Sequence, residues 1–150
     1  MRHLGIDYGR RRIGLALSDE GGVLASPLPC YVRSWSETRD VRALKRQITR
    51  LGAKAVVVGL PLNLDGSHGE MAREAAAFAG RLRDETGLPV ELFDERLTSR
   101  EANRVLLEAN LSRRRRKELR DSLSAVLILQ GHLDRLHAAS ARPTDPEAVD

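Results

Sequence analysis

An aspartate that ends an apolar run, with a glycine two residues on, is the first place where this chain could do chemistry: Leu4-Gly5-Ile6-Asp7-Tyr8-Gly9. A carboxylate at the end of a strand heading into a core costs several kcal/mol unless a cation or hydrogen-bond donors compensate it. Gly9 removes a side chain beside it, so a backbone, a phosphate or a metal ion can approach closely. Two further acidic positions stand at the ends of later elements. Asp94-Glu95 follows the short apolar run Val90–Phe93, and because strand side chains alternate faces, only one of the two can point with Asp7. Asp121 lies near the start of the last helical stretch, where the helix dipole alone also favours a carboxylate. Acids from three separate elements suit hard divalent cations such as Mg²⁺, which take oxygen ligands and let substrate phosphates complete the shell. Two such ions roughly 3.5–4 Å apart would activate a water and stabilise the leaving oxygen of a phosphodiester.

The elements that must position these acids read as follows. Leu4–Asp7 and Ile13–Ser18, joined across Gly9 and three arginines, form a β-hairpin, and Val23–Leu28, closed by Pro27 and Pro29, forms a third antiparallel strand. Ser34 or Ser36 caps an amphipathic helix with Val41, Leu44, Ile48 and Leu51 inward and Gly52 as its stop; Trp35 is expected to pack as a staple at its entrance. Ala53–Gly59 is an unbroken β-branched run, predicting an interior strand covered on both faces. It discharges into a glycine-rich loop, Leu60–Gly69, placed where α/β sheets bind ligands. A helix over Glu70–Glu85, the strand Val90–Phe93, and a helix opened by the capping box Thr98-Ser99-Arg100-Glu101 follow. A basic loop, Ser112–Lys117, precedes the last helix, whose periodic face is Leu119, Leu123, Val126, Leu127, Gln130, Leu133 and Leu136. One domain over 1–138 and a flexible tail over 139–150 are expected.

At 150 residues with 41% hydrophobic and 31% charged side chains, the chain is long enough for one packed core. No apolar run approaches a membrane span and no signal peptide is evident, so a cytoplasmic protein without a membrane partner is expected. The single cysteine, Cys30, excludes an internal disulfide. The net charge of +4 is concentrated in Arg10-Arg11-Arg12 and Arg113–Lys117, patches that suit a polyanion.

Four blocks, in order, resemble the RuvX proteins, also called YqgF-type or Holliday-junction-resolvase-like nucleases: Gly5–Gly9 with Arg12–Ala16; Val57–Ser67; Asp94–Ser99; and Asp121 with Ala125–Gln130. The resemblance implies a ribonuclease-H-like α/β fold: a mixed five-stranded sheet, three antiparallel strands then two parallel, flanked by helices. It implies a metal-dependent nuclease that processes the 5′ end of pre-16S rRNA, with Asp7, Glu95 and Asp121 holding one or two Mg²⁺ or Mn²⁺ ions. It further implies substrate contacts from Gly9, Arg12, Pro61, Asn63, Gly66, Arg96, Thr98, Arg114 and Arg115, and work on or near ribosomal particles as a monomer or weak homodimer. Ser124 stands where the family usually has alanine, and a three-acid site implies a weaker second metal. The alternatives are a Holliday junction resolvase on branched DNA and a catalytically weak RNA-binding factor. Aromatic residues are only 3%, too few for an extended base-stacking platform, so recognition is expected to rest on backbone and shape.

Overall fold

In the computed structural model, residues 1–98 and 122–140 are described. Five strands, β1 (His3–Asp7), β2 (Arg12–Ser18), β3 (Ala25–Val32), β4 (Ala55–Leu60) and β5 (Val90–Asp94), form one sheet in the order β3-β2-β1-β4-β5. β1 and β2 pair antiparallel, as do β2 and β3, whereas β1–β4 and β4–β5 are parallel. This is the mixed sheet expected from the sequence. Both parallel crossovers carry a helix, α1 (Glu37–Leu51) and α2 (Glu70–Thr86), because parallel neighbours need a long connection.

α1 and α2 cover one face of the sheet. Leu4, Ile6, Val56 and Val58 point into this layer and meet Leu44, Ile48, Phe78 and Leu82. The opposite face is covered by α3 (Leu123–Ser140), whose Ala125, Ile128, Leu129 and Leu133 pack with Ala16, Val57 and Phe93. β4 is buried at every position, as its β-branched run demanded. Ser36, rather than Ser34, caps α1 by accepting from the Arg39 N–H, and Gly52 ends the helix in the left-handed region at φ 72°.

Three expectations are corrected. β3 begins at Ala25 and runs through Pro27 and Pro29 to Val32, while Val23 and Leu24 are exposed. Prolines are tolerated there because β3 is an edge strand, where a missing N–H on the unpaired side costs no ladder bond. A bulge between the Ile13 and Leu15 pairings also interrupts the ladder beside Pro29. Trp35 does not pack at the entrance of α1; its side chain is fully exposed. Leu136 is likewise exposed, at 44%, as is every residue of α3 from Asp134 to Ser140. α3 runs to Ser140; residues 141–150 lie outside the described part, as does the helix expected after Thr98. No helix among the described residues is long and apolar enough to cross a membrane.

Candidate nuclease site

The parallel pairings bring the carboxyl ends of β1, β4 and β5 to one edge of the sheet, with Ile6 opposite Val58 and Leu60 opposite Asp94. Side-chain alternation then sorts the acids by face. Gly5 lies against α3, where an added Cβ would stand 2.6 Å from Leu129 Cβ and 3.0 Å from the Ala125 carbonyl oxygen. Asp7, two residues on in the same strand, therefore emerges on the α3 face. Gly59 of β4 is equally close to α3: its Cβ would meet Ile128 Cδ1 at 2.4 Å and the Glu95 carboxyl carbon at 3.2 Å. Glu95 thus occupies the α3 face above the end of β4. The absence of side chains at Gly5 and Gly59 lets α3 settle on the sheet and leaves room for the Glu95 carboxylate.

Asp94 is employed differently. It caps the 3-10 turn Glu95–Leu97 by accepting from the Arg96 N–H at 3.0 Å, and it receives Arg96 Nε at 3.1 Å and Nη2 at 2.7 Å. The Arg96 guanidinium beside it holds this carboxyl below the usual carboxylate range. Of the adjacent pair, Glu95 is the acid that shares a face with Asp7. Asp121 lies outside the described residues, as do Arg114 and Arg115. Ser122, the residue after Asp121, is buried at the start of α3, accepting from the Leu15 N–H at 3.3 Å and donating to the Leu28 carbonyl at 2.5 Å. Among the described residues no three His, Cys, Asp or Glu side chains form a group that could hold a metal.

The residues expected to contact substrate ring this end of the sheet. Gly9 lies in the β1–β2 turn, where a Cβ would stand 2.2 Å from the Arg12 carbonyl oxygen, so the turn closes only with glycine. Arg12 is exposed at the start of β2. Its neighbour Arg10 is engaged by α2, with Glu74 at 2.8 Å and Glu70 at 3.2 Å, so the arginine triplet is partly neutralised. Pro61 and Asn63 begin the loop after β4, in which the Asn63 N–H donates to the Ser67 carbonyl and Asn63 Nδ2 to Ser67 Oγ. Gly66, at φ 87°, turns that loop beside the Arg96 guanidinium. Arg96 also donates to the Leu64 carbonyl at 3.2 Å, which ties the loop to the end of β5. Thr98 Oγ1 donates to the Glu95 carbonyl at 2.8 Å, closing the turn that carries Glu95.

One supporting network had no counterpart in the motif reading. Arg33, after β3, donates through Nη1 to Tyr8 Oη (3.0 Å) and the Gly9 carbonyl (3.2 Å), and through Nε to Asp40 Oδ2 (3.0 Å). Asp40, wholly buried in the first turn of α1, also receives Tyr31 Oη, the Ser34 N–H and Ser34 Oγ. Burial alone would push its carboxyl up; the Ser34 bonds, Arg33 and Tyr31 overcome that and hold it below the usual carboxylate range. The network fastens the two residues that follow Asp7. Its sequence signal is an aspartate directly before Val41 on the inward face of an otherwise apolar helix stripe.

A five-stranded sheet in this order, with helices on both faces and an acid at the carboxyl end of its central strand, defines a ribonuclease-H-like protein. Over 96% of the chain and 99% of the other, it superposes on Thermus thermophilus RuvC in complex with a Holliday junction substrate, with a TM-score of 0.65 and 20% identity. The chain belongs to the RuvX family, described as a Holliday junction resolvase, whose model matches residues 1–135. A Moorella thermoacetica protein named "Putative pre-16S rRNA nuclease" is 51% identical over 136 residues, covering 91% of this chain and 96% of that one. A protein of the same name from Pelotomaculum thermopropionicum is 43% identical, covering 98% and 99%. The family is one of nucleases, hydrolases of phosphodiester bonds.

Proposed function

We propose that this chain is a divalent-metal-dependent nuclease that processes the 5′ end of pre-16S rRNA, in the cytoplasm, on or near ribosomal particles. The observation that carries the reading is the placement of Asp7 and Glu95 on one face, at one end of the sheet, while neighbouring Asp94 is spent on a cap and an ion pair. An oxygen-only donor set fits Mg²⁺ or Mn²⁺ and not a soft metal. Asp7 and Glu95 would hold the metal, with Asp121 as third acid. When bound, a divalent ion supplies Lewis-acid chemistry, polarising the phosphodiester and acidifying the attacking water.

The chain's own residues do the rest. The rigid strand end and the Arg33 clasp keep Asp7 from relaxing away from its neighbour, the Thr98-closed turn does the same for Glu95, and the loop after β4, tethered by Arg96, walls the groove. Arg12, with Arg114 and Arg115, would face substrate phosphates. The names of the relatives favour pre-rRNA as substrate.

A second reading, cleavage of branched DNA, is favoured by the family description and by the fold shared with RuvC. A resolvase needs two sites on a symmetric junction and hence a dimer, whereas the pre-rRNA reading is met by a monomer or weak homodimer. Side-by-side cleavage of a precursor rRNA end and a four-way DNA junction, with Mg²⁺ or Mn²⁺, tests both. Cleavage of the RNA alone is expected. Full activity of Asp7→Asn would overturn the site, and cleavage confined to the junction would overturn the substrate.

A further inference from the structure

We propose that Trp35 is a base-stacking contact for single-stranded nucleic acid at the rim of this site, a proposal that rests on the nuclease reading. The chain has five aromatic residues, and Tyr8, Tyr31, Phe78 and Phe93 all pack against the two hydrophobic clusters. Trp35, the sole tryptophan, leaves its entire side chain in solvent, at 106% relative exposure. An indole is among the largest apolar surfaces a chain can bury, and here that gain is forgone.

The exposure is not that of a loose loop. Ser34, before it, donates its N–H and its hydroxyl to Asp40 Oδ1, each at 2.8 Å, and accepts the Ser36 N–H at 3.1 Å on Oγ. Ser36, after it, caps α1. The backbone on both sides is pinned to a buried carboxylate and a helix end while the ring stands in solvent. With the backbone already ordered, only the side-chain torsions of the indole remain to be fixed when something stacks on it, which favours binding.

Its position supplies the occupant. β3 is antiparallel to β2 and β2 to β1, so β3 exits at the same end of the sheet as Asp7. The Arg33 N–H donates to the Arg11 carbonyl at 2.9 Å, which joins the Trp35 segment to the turn that follows Asp7. Arg11, Arg12 and Arg39 are exposed along this edge. The acids beside them are engaged: Asp40 by Arg33, and Glu37 by Arg81 at 2.6 Å. An exposed aromatic face on a segment joined to a turn that carries exposed arginines suits a strand whose bases are unstacked and whose phosphates are close by. A duplex hides its base faces.

The lone tryptophan is its own reporter. In chelator, so that no strand is cut, the full chain is titrated with an unstructured, end-labelled RNA oligonucleotide, reading the label's anisotropy and tryptophan emission together. Stacking predicts emission quenched in step with the anisotropy. Trp35→Ala should weaken binding about ten-fold, within the range of a single base–aromatic stack, and Trp35→Phe should recover most of it. Because the side chain touches no core, both variants keep the fold, which circular dichroism checks. Binding with unchanged emission, or with Trp35→Ala as tight as the parent, overturns the stacking role and leaves the nuclease reading intact. Equal weakening towards an RNA duplex overturns the single-strand assignment. No binding by either readout overturns the stacking role, while the nuclease reading stands or falls on the cleavage assay.

Discussion

Asp40 and Arg33 form a buried ion pair, Oδ2 to Nε at 3.0 Å, whose carboxylate is wholly inaccessible and whose guanidinium is 10% exposed. The cation also lies 5.1 Å from the Tyr8 ring centroid and 5.5 Å from that of Phe78, so aromatic faces substitute for part of its lost hydration. Removing one partner of such a pair strands the other. Asp40→Asn should cost about 3–5 kcal/mol in chemical denaturation. Tyr8→Phe, which removes one acceptor from Arg33, should cost about 1–3 kcal/mol by the same measurement.

The adjacent acids of the β5 exit separate structure from chemistry. Glu95→Gln should lower metal-dependent cleavage by about 10³-fold, several kcal/mol of lost transition-state stabilisation, with the melting temperature near that of the parent. Asp94→Asn should do the opposite: it loosens the turn and the Arg96 tether, lowering stability while leaving measurable cleavage. Paired thermal melts and cleavage rates on the two variants check this, and equal loss of activity in both would refute the division of labour.

Close approach between α3 and the sheet makes Gly5 intolerant. A methyl at Gly5 meets Leu129 Cβ and a backbone carbonyl, neither of which can swing aside, so Gly5→Ala should destabilise by about 1–3 kcal/mol or more. At Gly59 the two nearest atoms belong to the tip of Ile128, which can rotate, but the third is the Glu95 carboxyl carbon. Gly59→Ala should therefore lose activity out of proportion to stability, seen by comparing cleavage rate with denaturation midpoint.

Two histidines at the opposite end of the sheet make stability pH-dependent. His3 and His132 have ring centroids 6.0 Å apart, and His132 meets Phe93 edge-on. Burial lowers both imidazoles from their ordinary value of 6.5, and His3 lowers His132 further. A lowered folded-state value means that the unfolded chain takes up protons first, so this stability is fully present above pH 6.5 and declines as the pH falls below it. Melting temperature against pH should show that decline, and His132→Phe should flatten it.

Much of the architecture was legible because it is local. The β-branched run Ala55–Val58, the stripe Val41-Leu44-Ile48 with Gly52 behind it, and the Asp7 strand end each announce themselves within a few residues. β3 was misread because proline reports local geometry and says nothing of whether a strand lies at an edge. Trp35 was misread because the staple pattern describes what can pack, not what the neighbouring layer leaves uncovered.

By itself, then, the sequence determined the order and type of the elements and the set of acids from which a site could be built, and its resemblance to a known family implied the mixed sheet. The elements and the acids follow from periodicity, caps and strand-end polarity, all short-range properties of the chain. Only the tertiary structure decided that Glu95 lies on the same face as Asp7 while Asp94 turns to Arg96, that Arg33 and Asp40 clamp the turn behind Asp7, and that Trp35 stands in solvent at the same end of the sheet. Those outcomes depend on strand register and on which layer meets which face, and such pairings between distant residues leave no trace in local spacing.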